Sequence, residues 1–270
     1  MPEIINLSGY KFVTLSETML PPLRTTLLDC AKSLNLKGTI LLATEGINAF
    51  LAGERAAIDS FLATLHSMAE FQDLRFKESI TDYQPFNRML VRIKREIIPM
   101  NNKTVTPEKK TAPHLSPSEF KKWYEEKRDM VVLDTRNDFE VALGTFENAV
   151  DMKIAHFREF SDAVDLLPDE TRKKPIVTFC TGGIRCEKAA ELMLQKGFEE
   201  VYQLDGGILN YFEKCGGDFY RGECFVFDQR VSVDSHLKET KTKQCYDCRS
   251  VVPGALVQCN HCGSEAVSEK

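Results

Sequence analysis

Cys180 lies where an apolar segment, IVTFC at residues 176–180, meets a glycine-rich turn and then a helical segment. The residues between this cysteine and Arg185 are Thr181, Gly182, Gly183 and Ile184. Adjacent glycines allow successive backbone N–H groups to point at one atom, and the following helix adds the positive end of its dipole there. Because these surroundings favour a thiolate, we expect Cys180 to act as a nucleophile or to carry a persulfide. The alternative is a buried thiol that packs as a small apolar residue at a strand end.

Arg185 and Cys186 open the helix that follows this loop. We expect the guanidinium of Arg185 either to hold the loop closed or to contact an anionic substrate. Cysteine phosphatases place five residues between their cysteine and arginine, whereas four separate Cys180 from Arg185, which argues against phosphatase chemistry. Cys186 has two interpretations: it packs beneath the loop, or it is an accessory or resolving thiol.

Four cysteines near the C-terminus form two CxxC pairs that are separated by ten residues. They are Cys245, Cys248, Cys259 and Cys262. Two such pairs supply the four thiolates that zinc prefers in structural sites, and a small segment with little apolar content needs such a staple. The sequence therefore predicts a structural zinc ion, and four reduced, metal-free thiols are the alternative. Disulfides are not expected because the chain has the features of a cytosolic protein.

The charge of the chain is unevenly distributed. Its 270 residues carry a formal net charge of -5, which gives no global argument for nucleic-acid binding. Residues 88–113, however, hold seven basic side chains against two acidic ones. The basic residues are Arg88, Arg92, Lys94, Arg95, Lys103, Lys109 and Lys110. This segment is the candidate contact for a polyanion, and a solvated linker is the alternative.

The elements that must position these residues fall into two patterns. Residues 1–98 have the order strand, helix, strand, strand, helix, strand, at residues 10–15, 20–34, 38–43, 47–51, 54–68 and 74–79, and a further strand at 89–96. This order predicts an α+β domain of ferredoxin-like fold. Three prolines, at 99, 107 and 113, predict an interdomain linker over residues 99–113.

Residues 114–216 alternate helical segments with short apolar strands at 130–134, 176–180 and 200–204. Such strands predict a parallel α/β sheet that is covered on both faces, with ligand sites beyond the carboxyl ends of the strands. Cys180 occupies one of these ends. Residues 217–270 are less regular and are interpreted as a small cysteine-rich C-terminal region.

Cofactor and targeting signals are lacking in the sequence. It has no dinucleotide-binding glycine fingerprint, and its five histidines form no HxD or HxE pair of the kind that holds a facial-triad iron. We therefore expect no flavin, haem or nicotinamide site. The first residues, MPEIINLSGYKF, lack the pattern of a signal peptide, and the apolar runs are too short to span a membrane. We expect a cytoplasmic protein without a membrane partner.

Several segments carry a family resemblance. VVLDTRNDFE (131–140), GTFENAV (144–150) and CTGGIRCEKAAELMLQKGFEEVYQLDGGILNYF (180–212) resemble a rhodanese domain, in which Cys180 matches the persulfide-forming cysteine. EGINAFLAG (45–53), VRIKREII (91–98), GECFVFDQRV (222–231) and the paired C-terminal cysteines are similar, in the same order, to the bacterial tRNA uridine hydroxylases. The resemblance covers nearly the whole chain.

This resemblance implies an acylphosphatase-like first domain and hydroxylation of the wobble uridine of tRNA to 5-hydroxyuridine, with dioxygen as co-substrate. The anticodon loop of tRNA is then the partner, and the basic segment gains a role in phosphate contact. The residues assigned to that contact are Arg88, Arg92, Lys94 and Arg95. Asp134, Arg136 and Glu140 match the rhodanese motif, and we expect an Asp–Arg pair there that fixes the geometry of the loop.

The chemistry of Cys180 stays open at this point. It adds to the pyrimidine ring, or it carries an oxidised sulfur species during hydroxylation. A second function is transfer of sulfane sulfur from a donor to a protein or tRNA acceptor. A third is a non-enzymatic tRNA-binding or protein-binding module, against which the intact cysteine loop argues.

Overall fold

The computed structural model describes residues 3–248, 250–252, 254 and 258–265. The chain forms two compact units. The first comprises Met1–Pro99 and Thr106–Lys109, and the second comprises Met100–Val105 and Lys110–Lys270. None of the helices in the described ranges is both long enough and apolar enough to cross a membrane.

The first unit is a five-stranded sheet covered by two helices. Its elements are β1 (Ile4–Phe12), α1 (Leu20–Ser33), β2 (Lys37–Ala43), β3 (Gly46–Glu54), α2 (Arg55–His66), β4 (Lys77–Thr81) and β5 (Met89–Ile93). The strand order is β4-β1-β3-β2-β5, in which only the β2–β5 pair is parallel. The predicted ferredoxin-like fold is confirmed, with β5 added as an edge strand beside β2.

The pattern of apolar residues explains how this unit packs. Helix α1 has two prolines in its first turn, directly after Leu20, and it buries Leu20, Leu23, Leu27 and Ala31, whose spacing places them on one face. The first strand lies at Ile4–Phe12, earlier than the expected 10–15, because Ile5 and Leu7 alternate into the core along β1. Leu15 is also buried, but it lies in the loop after β1, where its own amide donates to Thr44 O.

The turn between β2 and β3 consists of Thr44 and Glu45, and Gly46 begins β3. Gly46 has a φ of +140°, and a Cβ there would lie 2.0 Å from Lys11 O, so only glycine fits without displacing β1. The Glu45 carboxylate accepts the Ile97 amide at 2.7 Å, and Asn48 Nδ2 donates to Ile97 O at 3.3 Å. The turn therefore anchors the segment that leaves β5.

The second unit is built on a five-stranded parallel sheet. Its first elements are β6 (His114–Leu115), α3 (Pro117–Glu125), β7 (Val131–Asp134), α4 (Asp138–Val141), β8 (Gly144–Phe146), β9 (Val150–Asp151), α5 (Phe160–Asp165), β10 (Ile176–Phe179), α6 (Ile184–Gln195), β11 (Val201–Leu204) and α7 (Gly207–Cys215). The strand order is β6-β11-β10-β7-β9, and every pair is parallel. The predicted parallel α/β domain is confirmed, and β10, which precedes Cys180, is its central strand.

The segment after α7 joins this domain before it reaches the terminal cysteines. Its strands are β12 (Tyr220–Gly222), β13 (Cys224–Phe225), β14 (Ser232–Val233), β15 (Lys243–Gln244) and β16 (Val251–Val252). Strand β12 pairs with β8, and the Tyr220 and Phe146 rings meet edge to face at 5.1 Å. Cys224, Val226 and Val233 belong to the core of the parallel domain. Residues up to Val233 therefore pack with the sheet that carries Cys180.

The stretch 99–113, predicted as a linker, contains buried apolar residues. Met100 and Ala112 are each 1% exposed, and Val105 is 5% exposed. Within the second unit, Thr104 Oγ1 lies 2.9 Å from the Gln195 side chain, and Thr111 Oγ1 donates to Glu187 at 2.7 Å. These contacts show that the prolines interrupt secondary structure without leaving the whole stretch in solvent.

Candidate active site and metal centre

Cys180 follows the central strand β10 and precedes α6, where backbone donors converge on its sulfur. The Gly183 amide donates to Cys180 Sγ at 3.1 Å, and the Arg185 amide and the Cys186 thiol also donate to it. Burial raises the pKa of the Cys180 thiol, but these three groups and the Arg185 guanidinium outweigh burial and lower the pKa from 9.0 to about 5. The sulfur is therefore a thiolate at neutral pH.

The same cysteine is enclosed by the protein. Cys180 is 1% exposed; Thr181 and Gly183 of its loop are buried, and Gly182 and Ile184 are half-buried. The Gly183 amide points at the sulfur as the glycine turn predicted, the nucleophilic role of Cys180 stays a prediction, and an openly accessible sulfur is not observed. A substrate reaches this sulfur only when the atoms that cover it are displaced.

Arg185 does not point towards solvent but forms a buried ion pair. Its Nη1 and Nη2 donate to Glu140 Oε2 and Oε1 at 2.6 and 2.7 Å, and both side chains are at most 6% exposed. Burial raises the pKa of the Glu140 carboxyl, but the Arg185 charge and hydrogen bonds lower it below its usual range. Of the two roles predicted for Arg185, the geometry agrees with holding the loop, because the pair joins α6 to α4.

Asp134 and Arg136 form a second buried pair next to the first. Arg136 Nε and Nη2 donate to Asp134 at 2.9 and 2.6 Å, and Nη2 also donates to Gly144 O at 2.6 Å. Thr145 Oγ1 donates to the same carboxylate at 2.8 Å. The predicted Asp–Arg pair is present and ties the end of β7 to β8, and its role in fixing the geometry of the Cys180 loop stays a prediction.

Cys186 lies on the first turn of α6, inside the core. It is fully buried, and its thiol is in hydrogen-bond contact with Cys180. Thr135 Oγ1 lies 3.8 Å from its sulfur. Burial and the neighbouring Cys180 raise the pKa of Cys186 well above its ordinary value, so Cys186 stays protonated beside the Cys180 thiolate.

The four terminal cysteines are brought together. The ligand sulfurs of Cys245, Cys248, Cys259 and Cys262 all lie within 4.8 Å of one another. The Cys245–Cys262 and Cys248–Cys259 sulfurs are 3.7 and 3.6 Å apart. A tetrahedral zinc ion with Zn–S bonds of about 2.3 Å places its ligand sulfurs about 3.8 Å apart, so this cluster fits such an ion. The His261 amide also donates to Cys259 Sγ at 3.4 Å, as outer donors do around metal thiolates.

The basic residues of the first unit lie along its edge strand. Arg88, Arg92, Lys94 and Arg95 are all exposed. They precede, occupy or follow β5, whose one strand partner among the described residues is β2. None of the four makes an ion pair with any residue that the structure describes. Their charges are thus available to an anionic partner.

Comparison with known proteins covers both units. Residues 4–97 match the family model of the UPF0176 acylphosphatase like domain, and residues 116–214 match that of the Rhodanese-like domain. A tRNA uridine(34) hydroxylase of Cupriavidus taiwanensis is 53% identical over 96% of this chain and 93% of its own length. One of Bordetella petrii is 51% identical over 88% of this chain and 95% of its own.

The chain belongs to the tRNA uridine(34) hydroxylase family. The resemblance stated from the sequence motifs is confirmed. Among solved structures, the rhodanese-like domain of an Anabaena protein covers 41% of this chain and 79% of its own, at 22% identity and a TM-score of 0.34.

In this family member, two neighbours of the cysteine loop were not predicted from the sequence. Gly207 has a φ of +66°, and a Cβ there would lie 2.3 Å from Cys180 O and 2.8 Å from Thr181 O. The Phe225 carbonyl accepts a hydrogen bond from Thr181 Oγ1 at 3.3 Å. The double glycine after β11 was a signal for the first contact, whereas no local pattern marks the second.

Proposed function

We propose that this chain hydroxylates uridine 34, the wobble uridine of tRNA, to 5-hydroxyuridine in the cytoplasm, with dioxygen as co-substrate and Cys180 as the reacting sulfur. Membership of the tRNA uridine(34) hydroxylase family, at 53% identity over nearly the whole chain, is the observation that carries the proposal. A thiolate held by amides and by an ion-paired arginine is the matching chemical feature.

The residues around the sulfur have distinct parts in this proposal. The Gly183 and Arg185 amides stabilise negative charge on Cys180, which keeps the sulfur nucleophilic at neutral pH. Glu140 holds Arg185, and Asp134 holds Arg136, so these pairs position the loop without touching the substrate. Preformed donors of this kind need no rearrangement when charge develops during the reaction.

The test uses the full chain and tRNA that lacks the modification. The protein is incubated with this tRNA and a thiol reductant under air and under argon, and the digested nucleosides are analysed by mass spectrometry. The expected result is an oxygen-dependent gain of one oxygen atom on uridine 34, labelled when ¹⁸O₂ replaces air. Equal product under argon overturns the role of dioxygen, and no product under air overturns the hydroxylase proposal.

Sulfur transfer is the second candidate, because the central domain matches the rhodanese-like model and its cysteine loop is intact. The same incubations distinguish it when thiosulfate is supplied. Sulfur on Cys180 that cyanide releases, with no change in any nucleoside, supports the transferase.

We assign tRNA contact to the exposed basic residues along β5. Replacing Arg92, Lys94 and Arg95 by glutamine is expected to weaken tRNA binding. It is also expected to make the slope of log Kobs against log [salt] shallower by about 0.7–0.9 for each phosphate contact that is lost. A matched control replaces three exposed basic residues of the second unit: Lys127, Arg158 and Lys173. An equal salt slope in both variants assigns the β5 charges to protection of a sheet edge instead.

We also propose that the four terminal thiolates hold one structural zinc ion. Their sulfur spacing and the amide donated to Cys259 support this assignment. The ion would neutralise thiolate charge and join two short loops, without a part in hydroxylation. Metal analysis of the purified chain is expected to give one zinc per protein, and a chain that stays metal-free after exposure to zinc contradicts the assignment.

A further inference from the structure

The Cys180 loop contains a second thiol in contact with the first. Both side chains are essentially inaccessible, Cys180 at 1% and Cys186 at 0% exposure, and a hydrogen bond joins their sulfurs. Thr135 lies beside Cys186 and the loop encloses Cys180, so the reduced pair is shielded from solvent. Cys186 thus lies where it would trap any oxidised form of Cys180.

We propose that Cys180 and Cys186 are a redox pair that supplies the two electrons of hydroxylation and becomes a disulfide in each turnover. This inference rests on the proposed hydroxylase function and names its electron donor. It gives Cys186 a chemical role that the positioning residues of the site do not have.

The overall reaction balances with this pair as the reductant. The C5–H bond of uridine is replaced by a C5–OH bond, which takes one oxygen atom from dioxygen. The O–O bond breaks, and the other oxygen leaves as water with the Cys186 thiol proton and one proton from solvent, because Cys180 is a thiolate. The two sulfurs lose two electrons and form one S–S bond. A small thiol, such as glutathione, then reduces the disulfide by thiol–disulfide exchange.

The geometry favours this outcome over a long-lived oxidised cysteine. A sulfenic acid on Cys180 condenses with a neighbouring thiol to a disulfide and water. Cys186 is on the first turn of α6, next to the glycine turn, and a disulfide of about 2 Å requires the two sulfurs to move closer than a hydrogen bond. That movement distorts the loop and so also changes the cover over Cys180.

A structural role of Cys186 predicts different behaviour. If its thiol serves only as a hydrogen-bond donor to the Cys180 thiolate, serine at position 186 keeps that donor and keeps activity. If it is the redox partner, serine cannot form the disulfide. Cys186→Ser therefore distinguishes the two roles without removing the hydrogen bond.

The experiment is a single turnover of the full chain. Reduced protein is freed of reductant, mixed under air with unmodified tRNA, quenched with an acidic alkylating agent, and analysed by peptide and nucleoside mass spectrometry. The expected result is one Cys180–Cys186 disulfide for each hydroxylated uridine, and added thiol restores further turnovers. Cys186→Ser is expected to lose the single-turnover product and to regain part of it when a small thiol is added.

Cys215→Ser is the matched control, because Cys215 is a partly buried thiol of the same unit at the end of α7. It is expected to behave as the unaltered chain. Product that exceeds one per chain without added thiol, or that forms with no Cys180–Cys186 link, overturns the redox pair while leaving the hydroxylase proposal intact. A Cys186→Ser variant with full activity in the absence of reductant overturns it as well.

One further arm separates the two proposals. The tRNA-free protein is equilibrated with oxidised and reduced glutathione, and the Cys180–Cys186 link is quantified. A chain that yields no hydroxylated nucleoside in any arm overturns the hydroxylase proposal, and the electron-donor role with it. The glutathione arm then still decides whether these thiols form a reversible disulfide, and no link under oxidising glutathione refutes the pair.

Discussion

The chain has two clusters of cysteines that are built in opposite ways. Cys180 and Cys186 are buried where the central strand of the parallel sheet meets α6, and the arginine beside them is held by Glu140, which is 45 residues away in the sequence. The terminal cluster comes from 18 consecutive positions, 245–262, around a small core of Cys245, Val252 and Cys259. Long-range packing shapes the first cluster, and local spacing shapes the second.

This difference determines what each cluster can do. At Cys180, amides and a guanidinium balance the negative charge of the sulfur, so the thiolate exists without a metal and keeps its reactivity. The terminal sulfurs receive hydrogen bonds from Ser250, His261 and Ser264 and lie within 4.8 Å of one another, and in our proposal zinc carries their charge. A thiolate that is bound to structural zinc stabilises the fold, whereas a metal-free thiolate such as that of Cys180 keeps its nucleophilicity.

Cys180→Ser is expected to give the largest difference between the two clusters, because it should abolish the chemistry of the first and leave the metal site of the second unchanged. The hydroxyl of serine remains protonated in the same cradle, so we expect turnover to fall by more than about a thousandfold. The chain should remain folded, and its zinc content should not change. Nucleoside mass spectrometry and metal analysis check this, and wild-type turnover would remove Cys180 from the mechanism.

Removing the metal reverses the pattern of effects. A chelator, or Cys245→Ser, is expected to unfold the loops at 245–248 and 258–264, because their small core cannot hold them alone. The parallel sheet should remain folded. Hydrogen exchange measures both regions in one experiment, and equal loss of protection in β10 and in the terminal loops would show that the clusters are not independent.

Gly207→Ala tests whether the first cluster depends on packing from α7. A Cβ at 207 would press on Cys180 O and Thr181 O, so we expect a displaced loop and a strong loss of turnover. Gly197→Ala is the control, since Gly197 also has a positive φ but nothing lies within 4 Å of its Cβ position. Gly197→Ala is expected to lose about 1–2 kcal/mol of unfolding free energy from its positive φ alone, and Gly207→Ala is expected to lose more, because backbone atoms must also move. Equal turnover in the two would assign no role to the contact with the loop.

The pH dependence of the Cys180 thiolate gives the smallest expected effect. Ultraviolet absorbance of the unaltered chain minus that of Cys180→Ser is expected to titrate near pH 5. Because the folded pKa is depressed from 9.0, the unfolded chain binds more protons between about pH 5 and 9, and stability from this group rises with pH. The contribution is complete above pH 9 and is lost as the pH falls through 5. A midpoint near 9 would show that the cradle does not stabilise the thiolate.

Much of the fold follows from local patterns, and the exceptions have physical reasons. The order of strands and helices, the loop that carries Cys180 and the paired terminal cysteines were all predicted from the residues. The first strand was placed too late because Leu15, although buried, lies in a loop beside β2. Burial of Met100 and Val105 was missed, since prolines and lysines dominate that stretch.

The sequence by itself determined which atoms are available. They are a cysteine before a glycine turn and a helix, an arginine five positions after that cysteine, and four sulfurs in two CxxC pairs. Only the tertiary structure decided that Arg185 binds Glu140, that Cys186 contacts Cys180, and that Gly207 supports the loop. Hydrogen bonds within a turn depend on neighbours in the chain. Ion pairs and close packing depend on where the sheet brings distant segments, and spacing in one sequence does not contain that information.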